Sequence, residues 1–448
     1  MKKIIILLNP EASAYNASFK FAKNLSDLGY EVIYFTYPNF TNYVKEHSFK
    51  CIEIIPDSEL DYDLSKVLIE KSKNTILSQM KVMSFIEQEI DKIKPFAVFV
   101  DQINWWYALP FFKKKIKVIG LNTNLCTRFN SFVPPTFYDK IPDKRNNIIS
   151  RFKNILSWLH LYTFEHFAGV NLAIWRRFVL VKLNRKRAWW AYVVAFWGKE
   201  FKRRGIKISF AEHGFNLNRS EIVLCPREFD FLHVPFADKR IYVGTSVENF
   251  RNEEIVPMKD KGNSCNFILD EEVLKNKKLI YCSIGSHDYL CHNKENFFKI
   301  IIETIQERKN LYLIIQIFDE KIREILLKKK YDNIKILRWA PQLKILKKAD
   351  YFITHGGLSS VREAILTGTP MICLPYWNDG FGNAARIRFH KLGVTGYLNS
   401  LTKTKLNDFL DEIISNEIYQ ESVKIMQSVF ENQLDGTNLD KVTKIIET

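Results

Sequence analysis

The chain has 448 residues, of which 46% are hydrophobic and 26% charged, and its formal net charge is +16. A chain of this length is too long for a single small hydrophobic core and suits two domains of ordinary size. The composition is that of a globular protein. No apolar stretch is long enough to span a membrane, and the seven cysteines are scattered without a C-x-x-C pair, so a membrane-spanning protein and a disulfide framework are excluded and a cytoplasmic protein is expected.

The first residues, MKKIIILLNPEAS, begin like a signal peptide, but the apolar run stops after Leu8 and is too short for one. We interpret this run as a first buried strand. It is followed by the helix-like SFKFAKNLSDLG and the strand-like EVIYFTY, and the order recurs from FAVFVD through NWWYALPFFKKK to IKVIGLNT. Such βαβ units predict a parallel sheet that is covered on both faces.

The positive charge is concentrated between Lys140 and Lys207, where sixteen Lys and Arg face three Asp and Glu among many aromatic residues. Three interpretations are open: a basic surface over an aromatic acceptor pocket, adhesion to an anionic membrane, or nucleic-acid binding. No RNA- or DNA-binding motif supports the last, so no nucleic-acid partner is expected.

The second half repeats the pattern, with the strand-like segments LIYCSIGS, LYLIIQIF, IKILRW, YFIT and MICLP separated by helices. The polar segment 246–274 is expected to be a linker. The sequence thus predicts an α/β protein with two doubly wound Rossmann-like domains, 1–245 and 275–430, which face each other across a cleft. A C-terminal helix, 431–448, is expected to pack back on the first domain.

The segment ITHGGLSSVREA (353–364) joins a predicted strand to a predicted helix. Its two glycines allow close approach of the backbone, and the first N–H groups of a helix that begins near Leu358 can bind a phosphate. Two other interpretations are open. Ser360 and Glu363 fit an S-x-x-E capping box, and a lone strand-end histidine such as His355 is commonly a structural residue.

Four motifs follow one another in order: RWAPQ (338–342), HGGLSSVREA (355–364), GTP (368–370) and PYWNDGFGNA (375–384). Together they closely resemble the nucleotide-sugar signature of the UDP-glycosyltransferase family. Elsewhere the resemblance is weaker, and DQINWW, NTNL, VPP, CPREFDF and YVG look like family landmarks. The resemblance implies the GT-B type of fold, in which the first domain binds the acceptor and the second binds the nucleotide sugar.

The resemblance also implies roles for the motif residues. Trp339, which precedes Ala340, would stack on the uracil, while Gln342 and Glu363 would bind the ribose. Asp379, between Asn378 and Gly380, would accept hydrogen bonds from the sugar hydroxyls. The diphosphate would be bound by side chains and N–H groups of the glycine turn, the helix start and an earlier strand end, namely His355, Gly357, Leu358, Ser359, Ser360 and Ser286.

This sequence departs from the family pattern in three places. Ser359 and Leu358 stand where plant members usually have Asn and Trp, which matters little if only the backbone of Leu358 is used. Gly380 replaces the glutamine or histidine that commonly contacts the sugar. The identity of the sugar, and the choice between a UDP and a dTDP donor, therefore stay open.

The implied reaction is displacement of UDP from the anomeric carbon by an acceptor, with inversion of configuration. Because the helix start can stabilise the leaving diphosphate, neither a metal nor a cofactor is expected. Asp61 and Asp63 form a D-x-D pair like that of metal-dependent glycosyltransferases, but they lie in the first half, away from the donor motifs. The expected acceptor is small and apolar or lipid-like, and peripheral contact with the inner face of an anionic membrane is part of this expectation.

Family members place a catalytic histidine after the first strand, oriented by an aspartate after a later strand. The position of that histidine holds Ala14 here, whereas the aspartate corresponds to Asp101. We therefore predict that a carboxylate is the base, with Asp101 first and Glu11 second. An acceptor that needs little deprotonation, a non-catalytic partner of another enzyme and a nucleotide-sugar epimerase stay open as alternatives.

Overall fold

A computed structural model describes most of the chain. The described residues are 1–54, 68–125, 128–143, 147–162, 185–232, 234, 239–247, 272, 274–285 and 288–448. Ser286, Asp61, Asp63 and most of the expected linker lie outside these ranges, so what was expected of them stays a prediction.

The first half contains one large parallel sheet and a hairpin. Its described strands are β1 (Lys3–Leu7), β2 (Glu31–Thr36), β3 (Lys50–Glu53), β4 (Ala97–Asp101), β5 (Lys117–Asn122), β6 (Ile208–Ala211), β7 (Gly214–Leu217), β8 (Glu221–Val223) and β9 (Arg240–Tyr242). β6 and β7 pair with each other in antiparallel fashion. The other seven form a sheet in the order β3-β2-β1-β4-β5-β8-β9, in which every pair of neighbours is parallel.

The second half forms a six-stranded sheet. Its strands are β10 (Lys278–Ser283), β11 (Leu311–Gln316), β12 (Ile334–Leu337), β13 (Tyr351–Thr354), β14 (Met371–Cys373) and β15 (Gly393–Thr395). They are parallel and follow the order β12-β11-β10-β13-β14-β15. This is the doubly wound order, whose direction reverses between β10 and β13, and ligands bind outside the carboxyl ends of the strands at such a switch point.

Helices cover both sheets. In chain order the described α-helices are α1 (Ala12–Asp27), α2 (Pro38–Glu46), α3 (Leu68–Ile93), α4 (Leu109–Lys113), α5 (Ile148–His160), α6 (Arg185–Arg203), α7 (Lys294–Glu307), α8 (Glu320–Leu327), α9 (Gln342–Leu346), α10 (Leu358–Leu366), α11 (Gly380–Phe389), α12 (Lys403–Ser415), α13 (Ile418–Asn432) and α14 (Leu439–Glu447). None of the helices in the described ranges has the length and apolar content needed to cross a bilayer.

The burial of β1 explains its unbroken apolar sequence. Ile4 and Ile6 pack into a cluster with α1 on one face of the sheet, whereas Ile5 and Leu7 pack into a cluster with α3 on the other. Because side chains alternate between the faces of a strand, a strand covered on both sides is apolar at every position. The predicted α/β class with two parallel sheets is confirmed.

The end of the chain returns to the first sheet. Val442 and Ile446 of α14 pack into the cluster that contains Ile4 and Ile6, and the Tyr30 hydroxyl donates to Glu447 Oε1 at 2.7 Å. The segment expected to form one helix differs in detail, because α13 continues to Asn432 and α14 starts only at Leu439. The boundaries of the two domains stay a prediction.

Candidate active site

The switch point of the second sheet positions His355. Ser283 in β10 pairs with Thr354 in β13, so the turns that follow the two strands lie side by side. A Cβ atom on Gly285 would lie 2.5 Å from His355 Cε1, and one on Gly357 would lie 2.6 Å from His355 Nε2. The imidazole therefore fits between two stretches of backbone that only glycine permits.

Helix α10 begins immediately after this turn. Its N-cap is Gly357, with no side-chain cap, and the first hydrogen bond within the helix runs from Val361 N–H to the Gly357 carbonyl at 3.0 Å. Ser360 is therefore the third helical residue rather than the cap, and the capping-box interpretation of Ser360 and Glu363 is wrong. The N–H groups of Leu358, Ser359 and Ser360 have no acceptor within the helix, as an anion site requires.

The residues expected to bind the nucleoside lie together. Gln342 Nε2 donates to Glu363 Oε2 at 2.8 Å and to Ser360 Oγ at 3.2 Å, and Glu363 is only 3% exposed. The loop that carries Trp339 is fixed because the N–H of Ala340 donates to Gln316 Oε1 at 3.0 Å. The amide of Gln342 thus orients the Glu363 carboxylate.

Asp379 lies at the start of α11. Asn383 Nδ2 donates to Asp379 Oδ2 at 3.1 Å and to the Gly356 carbonyl at 2.8 Å, which ties the aspartate to the glycine turn. Burial raises the pKa of Asp379 to about 7; the bond from Asn383 lowers it, and the charges of Glu11 and Glu212 raise it further. The preceding Asn378 has a positive φ of 52°.

The structure gives a physical reason for Gly380. A Cβ atom at this position would lie 2.7 Å from the His355 carbonyl oxygen and 3.4 Å from Pro375 Cβ. The backbone of α11 approaches the turn at His355 too closely for the glutamine or histidine of the family pattern. A larger residue at position 380 would push α11 away from the turn.

The carboxyl ends of the first sheet carry the expected acceptor-side residues. Leu7 pairs with Val100, so the turn after β1 lies beside Asp101 at the end of β4. Asp101 is 1% exposed and accepts hydrogen bonds from the Ile103 N–H at 2.9 Å and the Thr123 hydroxyl at 3.2 Å. Burial raises its pKa to about 7, the two bonds lower it, and the charge of Glu11 raises it.

Glu11 is more accessible than Asp101. It is partly exposed and immediately precedes α1, and its Oε1 accepts a hydrogen bond from Asn9 Nδ2 at 2.5 Å. Its charge raises the pKa of both Asp101 and Asp379, so Glu11 lies close enough to act on each of these carboxyl groups. Ala14, in contrast, is buried in the first turn of α1.

Direct contacts join the two halves around these residues. Ser359 Oγ donates to the Ser13 carbonyl at 3.3 Å. Arg362, a buried residue of α10, donates to the Leu224 carbonyl and to Ser359 Oγ. The start of α10 therefore lies against the first half of the chain.

Glu212 and Thr136 belong to the site but were not identified from the sequence. Glu212 is fully buried and accepts hydrogen bonds from the N–H of Thr136 at 2.9 Å and from its hydroxyl at 2.5 Å. The Thr136 carbonyl then accepts from the Gly382 N–H in α11 at 2.7 Å. In the sequence, only the VPP landmark immediately before Thr136 pointed to this region, and no role was assigned to Thr136 or Glu212 from it. Asn383 also went without a role, although it lies in a quoted motif.

No group of three or more His, Cys, Asp or Glu side chains is arranged to hold a metal ion in the described ranges. Asp61 and Asp63 lie outside them. Metal independence therefore stays a prediction.

Solved structures with the same architecture identify the fold. The glycosyltransferase of kitacinnamycin superposes with a TM-score of 0.70 at 16% identity, over 99% of this chain and 99% of that one. The spinosyn rhamnosyltransferase SpnG, complexed with thymidine diphosphate, superposes with a TM-score of 0.61 at 12% identity over 100% of both chains. The protein thus has the GT-B fold of glycosyltransferases, which confirms the predicted pair of Rossmann-like domains.

Sequence comparisons show a family similarity in the second half of the chain. Residues 280–442 match the family described as UDP-glucoronosyl and UDP-glucosyl transferase. The uncharacterized UDP-glucosyltransferase YdhE of Bacillus subtilis (strain 168) is 26% identical over 220 residues, 49% of this chain and 51% of YdhE. UDP-glucuronosyltransferase 3A1 of Xenopus laevis is 35% identical over 103 residues, 22% of this chain and 20% of that protein. The chain therefore spans about half the length of YdhE and less of 3A1, and its second half is similar to the UDP-glycosyltransferase family over residues 280–442.

Proposed function

We propose that the protein is an inverting glycosyltransferase that moves a sugar from a UDP-sugar to a small apolar or lipid-like acceptor. The observation that carries this proposal is the contact at the turn that carries Glu11, where Ser359 Oγ of α10 donates to the Ser13 carbonyl at 3.3 Å. The charge of Glu11 raises the pKa of both Asp101 in the first half and Asp379 in the second. A carboxylate of the expected acceptor side thereby neighbours the carboxylate expected to bind the donor sugar. Group transfer requires the two substrates to meet in this way.

The donor is expected to bind along the carboxyl ends of the second sheet. The Gln342 amide supports ribose recognition because it orients the Glu363 carboxylate, which can accept two short hydrogen bonds from vicinal hydroxyls. The diphosphate then lies at the positive end of α10. Two ribose hydroxyls favour UDP, and a dTDP-sugar is the second candidate because SpnG was solved with thymidine diphosphate.

For the acceptor proton we propose Glu11 as the base. The sequence favoured Asp101, but its side chain is only 1% exposed. Glu11 is partly exposed in the turn between β1 and α1. As the acceptor oxygen bonds to the anomeric carbon, its proton passes to Glu11 and the bond to UDP breaks on the opposite face.

The charge on the leaving UDP is the second part of the proposed mechanism. The N–H groups at the start of α10 and the imidazole of His355 are expected to bind the developing charge. Arg362, one turn into the helix and buried, adds positive potential from behind. Preorganised donors of this kind stabilise an anionic leaving group without reorganising, so we propose turnover without a metal ion.

The acceptor is expected to contact aromatic side chains. Phe137 and His213, whose ring centroids are 5.3 Å apart, follow Thr136 and Glu212 directly in the sequence. These partly buried rings lie at the contact between the first half and α11, which supports an apolar acceptor. A cytoplasmic location is part of the same proposal.

Donor binding can be tested by calorimetric titration with UDP. Removing a hydrogen bond to a charged group costs roughly 1.5–3 kcal/mol, so Glu363→Ala should weaken UDP binding by about tenfold or more. Glu324→Ala, an exposed glutamate of α8 in the same half, is the matched control and should bind like the wild type. Equal UDP affinity in Glu363→Ala would contradict the ribose assignment.

Transfer can be tested by mass spectrometry after incubation with UDP-sugars and acceptor extracts. Free UDP together with a glycosylated product is the expected result. UDP binding without turnover would favour a non-catalytic partner of another enzyme, an alternative that the alanine at position 14 supports. A new sugar epimer would favour an epimerase. Either outcome would overturn the proposed reaction while leaving the donor site in place.

A further inference from the structure

Helix α5 presents apolar side chains to solvent. Its outward face carries large aliphatic and aromatic residues that are between 38% and 84% exposed, namely Ile148, Ile149, Phe152, Ile155, Leu156 and Leu159. At about 100° per residue these six lie within an arc of about 120°. A surface helix of a globular protein normally turns such a stripe toward the core.

The opposite face of α5 is held by hydrogen bonds. Asn154 Nδ2 donates to the Ser131 carbonyl at 3.2 Å, and Trp158 Nε1 donates to the Val133 carbonyl at 2.8 Å. The Asn147 side chain caps the helix by accepting from the Ser150 N–H at 2.8 Å. These bonds fix the rotation of the helix, so its apolar stripe is directed outward by the fold.

Cations border the stripe on both sides. Arg151 and Lys153 are exposed and, by the helical angle, lie just beyond the two edges of the arc. Lys140, also exposed, approaches the helix and donates to Ser157 Oγ at 2.8 Å. The helix sequence IISRFKNILSWLH contains no Asp or Glu, and the surrounding segment from Lys140 to Lys207 has sixteen basic residues against three acidic ones.

We propose that α5 docks the protein on an anionic membrane surface. The apolar stripe enters the boundary between headgroups and acyl chains, while Arg151 and Lys153 contact lipid phosphates. Charge decides between a bilayer and a second copy of this chain. A symmetric dimer across α5 would bring the same cations against each other, whereas anionic headgroups neutralise them.

The docking helix also lies next to the proposed acceptor side. Val133, which accepts the bond from Trp158, is three residues before Thr136, and Thr136 contacts α11. Tyr138 donates or accepts a hydrogen bond with His160 Nδ1 at 2.6 Å at the other end of the same loop. Membrane docking itself rests on α5 and does not require the proposed reaction.

The test uses the full chain in flotation with vesicles of phosphatidylcholine alone and of phosphatidylcholine mixed with phosphatidylglycerol. We expect binding to the anionic vesicles that weakens with salt, because each Lys or Arg contributes about fivefold in affinity at an anionic surface. The triple variant Ile149→Ser, Phe152→Ser, Leu156→Ser should lose at least about tenfold of this binding, since burial of each apolar side chain contributes to the partition.

The matched control is the pair Ile325→Ser and Leu327→Ser, which are 57% and 55% exposed on α8 in the other half, and it should bind vesicles like the wild type. UDP-induced thermal protection in all variants checks that the fold and donor site are intact. Equal flotation with both vesicle types, or a triple variant that still binds, would overturn the proposal. So would a concentration-dependent dimer that the triple variant abolishes without any vesicle binding.

Discussion

Replacing Asp101 by asparagine should stabilise the protein increasingly as the pH rises from about 4 to about 7. Asp101 is buried beneath the turn that carries Glu11, and burial raises its pKa from 3.8 to about 7, with the Glu11 charge adding to the shift. An asparagine at this position has the same shape and can still accept from the Ile103 N–H. Asparagine carries no charge at any pH, so the variant avoids the free-energy cost of burying a charged carboxylate.

The sign follows from the proton count. Between about pH 4 and pH 7 the folded wild type binds more protons than the unfolded chain, because its Asp101 pKa is the higher one. The free energy of unfolding of the wild type is therefore highest, as far as Asp101 affects it, at acidic pH. It falls as the pH rises through this window. At about 1.4 kcal/mol per pH unit, the advantage of Asp101→Asn over the wild type should grow by about 3 kcal/mol between about pH 5 and pH 8.

Urea unfolding followed by tryptophan fluorescence can measure this difference, because Trp105 and Trp106 are buried in the folded protein. Asp230→Asn is the matched control with the opposite sign. Burial raises the Asp230 pKa, but Arg386 and Arg240 outweigh it and lower the pKa to about 2.

This control should lose about 3–5 kcal/mol at neutral pH, because buried arginines lose their partner. A stability gain in Asp101→Asn that is absent, or equal at both pH values, would refute the raised pKa of Asp101.

Three further results are expected. Glu11→Gln should lower turnover in a rate assay by a factor of about 10²–10⁴, while UDP affinity measured by titration stays unchanged. Full turnover of this variant would show that Glu11 is not the base. Gly380→Ala should lower the thermal midpoint and weaken UDP-sugar binding, because its Cβ meets the His355 carbonyl at 2.7 Å and overpacking costs about 1–3 kcal/mol; an unchanged melting curve argues against the close approach. Turnover should persist in EDTA, and a complete loss that Mn²⁺ restores would favour Asp61 and Asp63 instead.

Most of the fold could be predicted because its signals are local. The run KIIIL is apolar at every position since β1 is covered on both faces, and its alternation with helical segments is typical of parallel sheets. The order of the strands could not be predicted in this way. It depends on which strand edges meet after the helices pack, for example β1 between β2 and β4.

The residues expected to bind the donor could be grouped from the sequence because most of them lie in a short stretch, and their role in donor binding stays a prediction. One local interpretation failed: Ser360 and Glu363 fit a capping box, but the helix starts two residues before Ser360 at Leu358. The bond from Gln342 to Glu363 then shows what the carboxylate does instead. The S-x-x-E spacing alone does not fix the first residue of the helix, because the glycine turn that holds His355 sets where the helix begins.

The sequence by itself determined two parallel sheets and the glycine turn before α10, because strand burial and helix starts depend on neighbours along the chain. Only the tertiary structure placed Glu11 near both Asp101 and Asp379 and showed that the His355 carbonyl leaves no room for a side chain at position 380. Glu212 and Thr136 are 76 residues apart, and the Asp230–Arg386 pair is 156 apart. The first contact forms as the first half folds, whereas the second forms only when the two halves pack together. This packing sets the burial and charge on which the proposed chemistry depends.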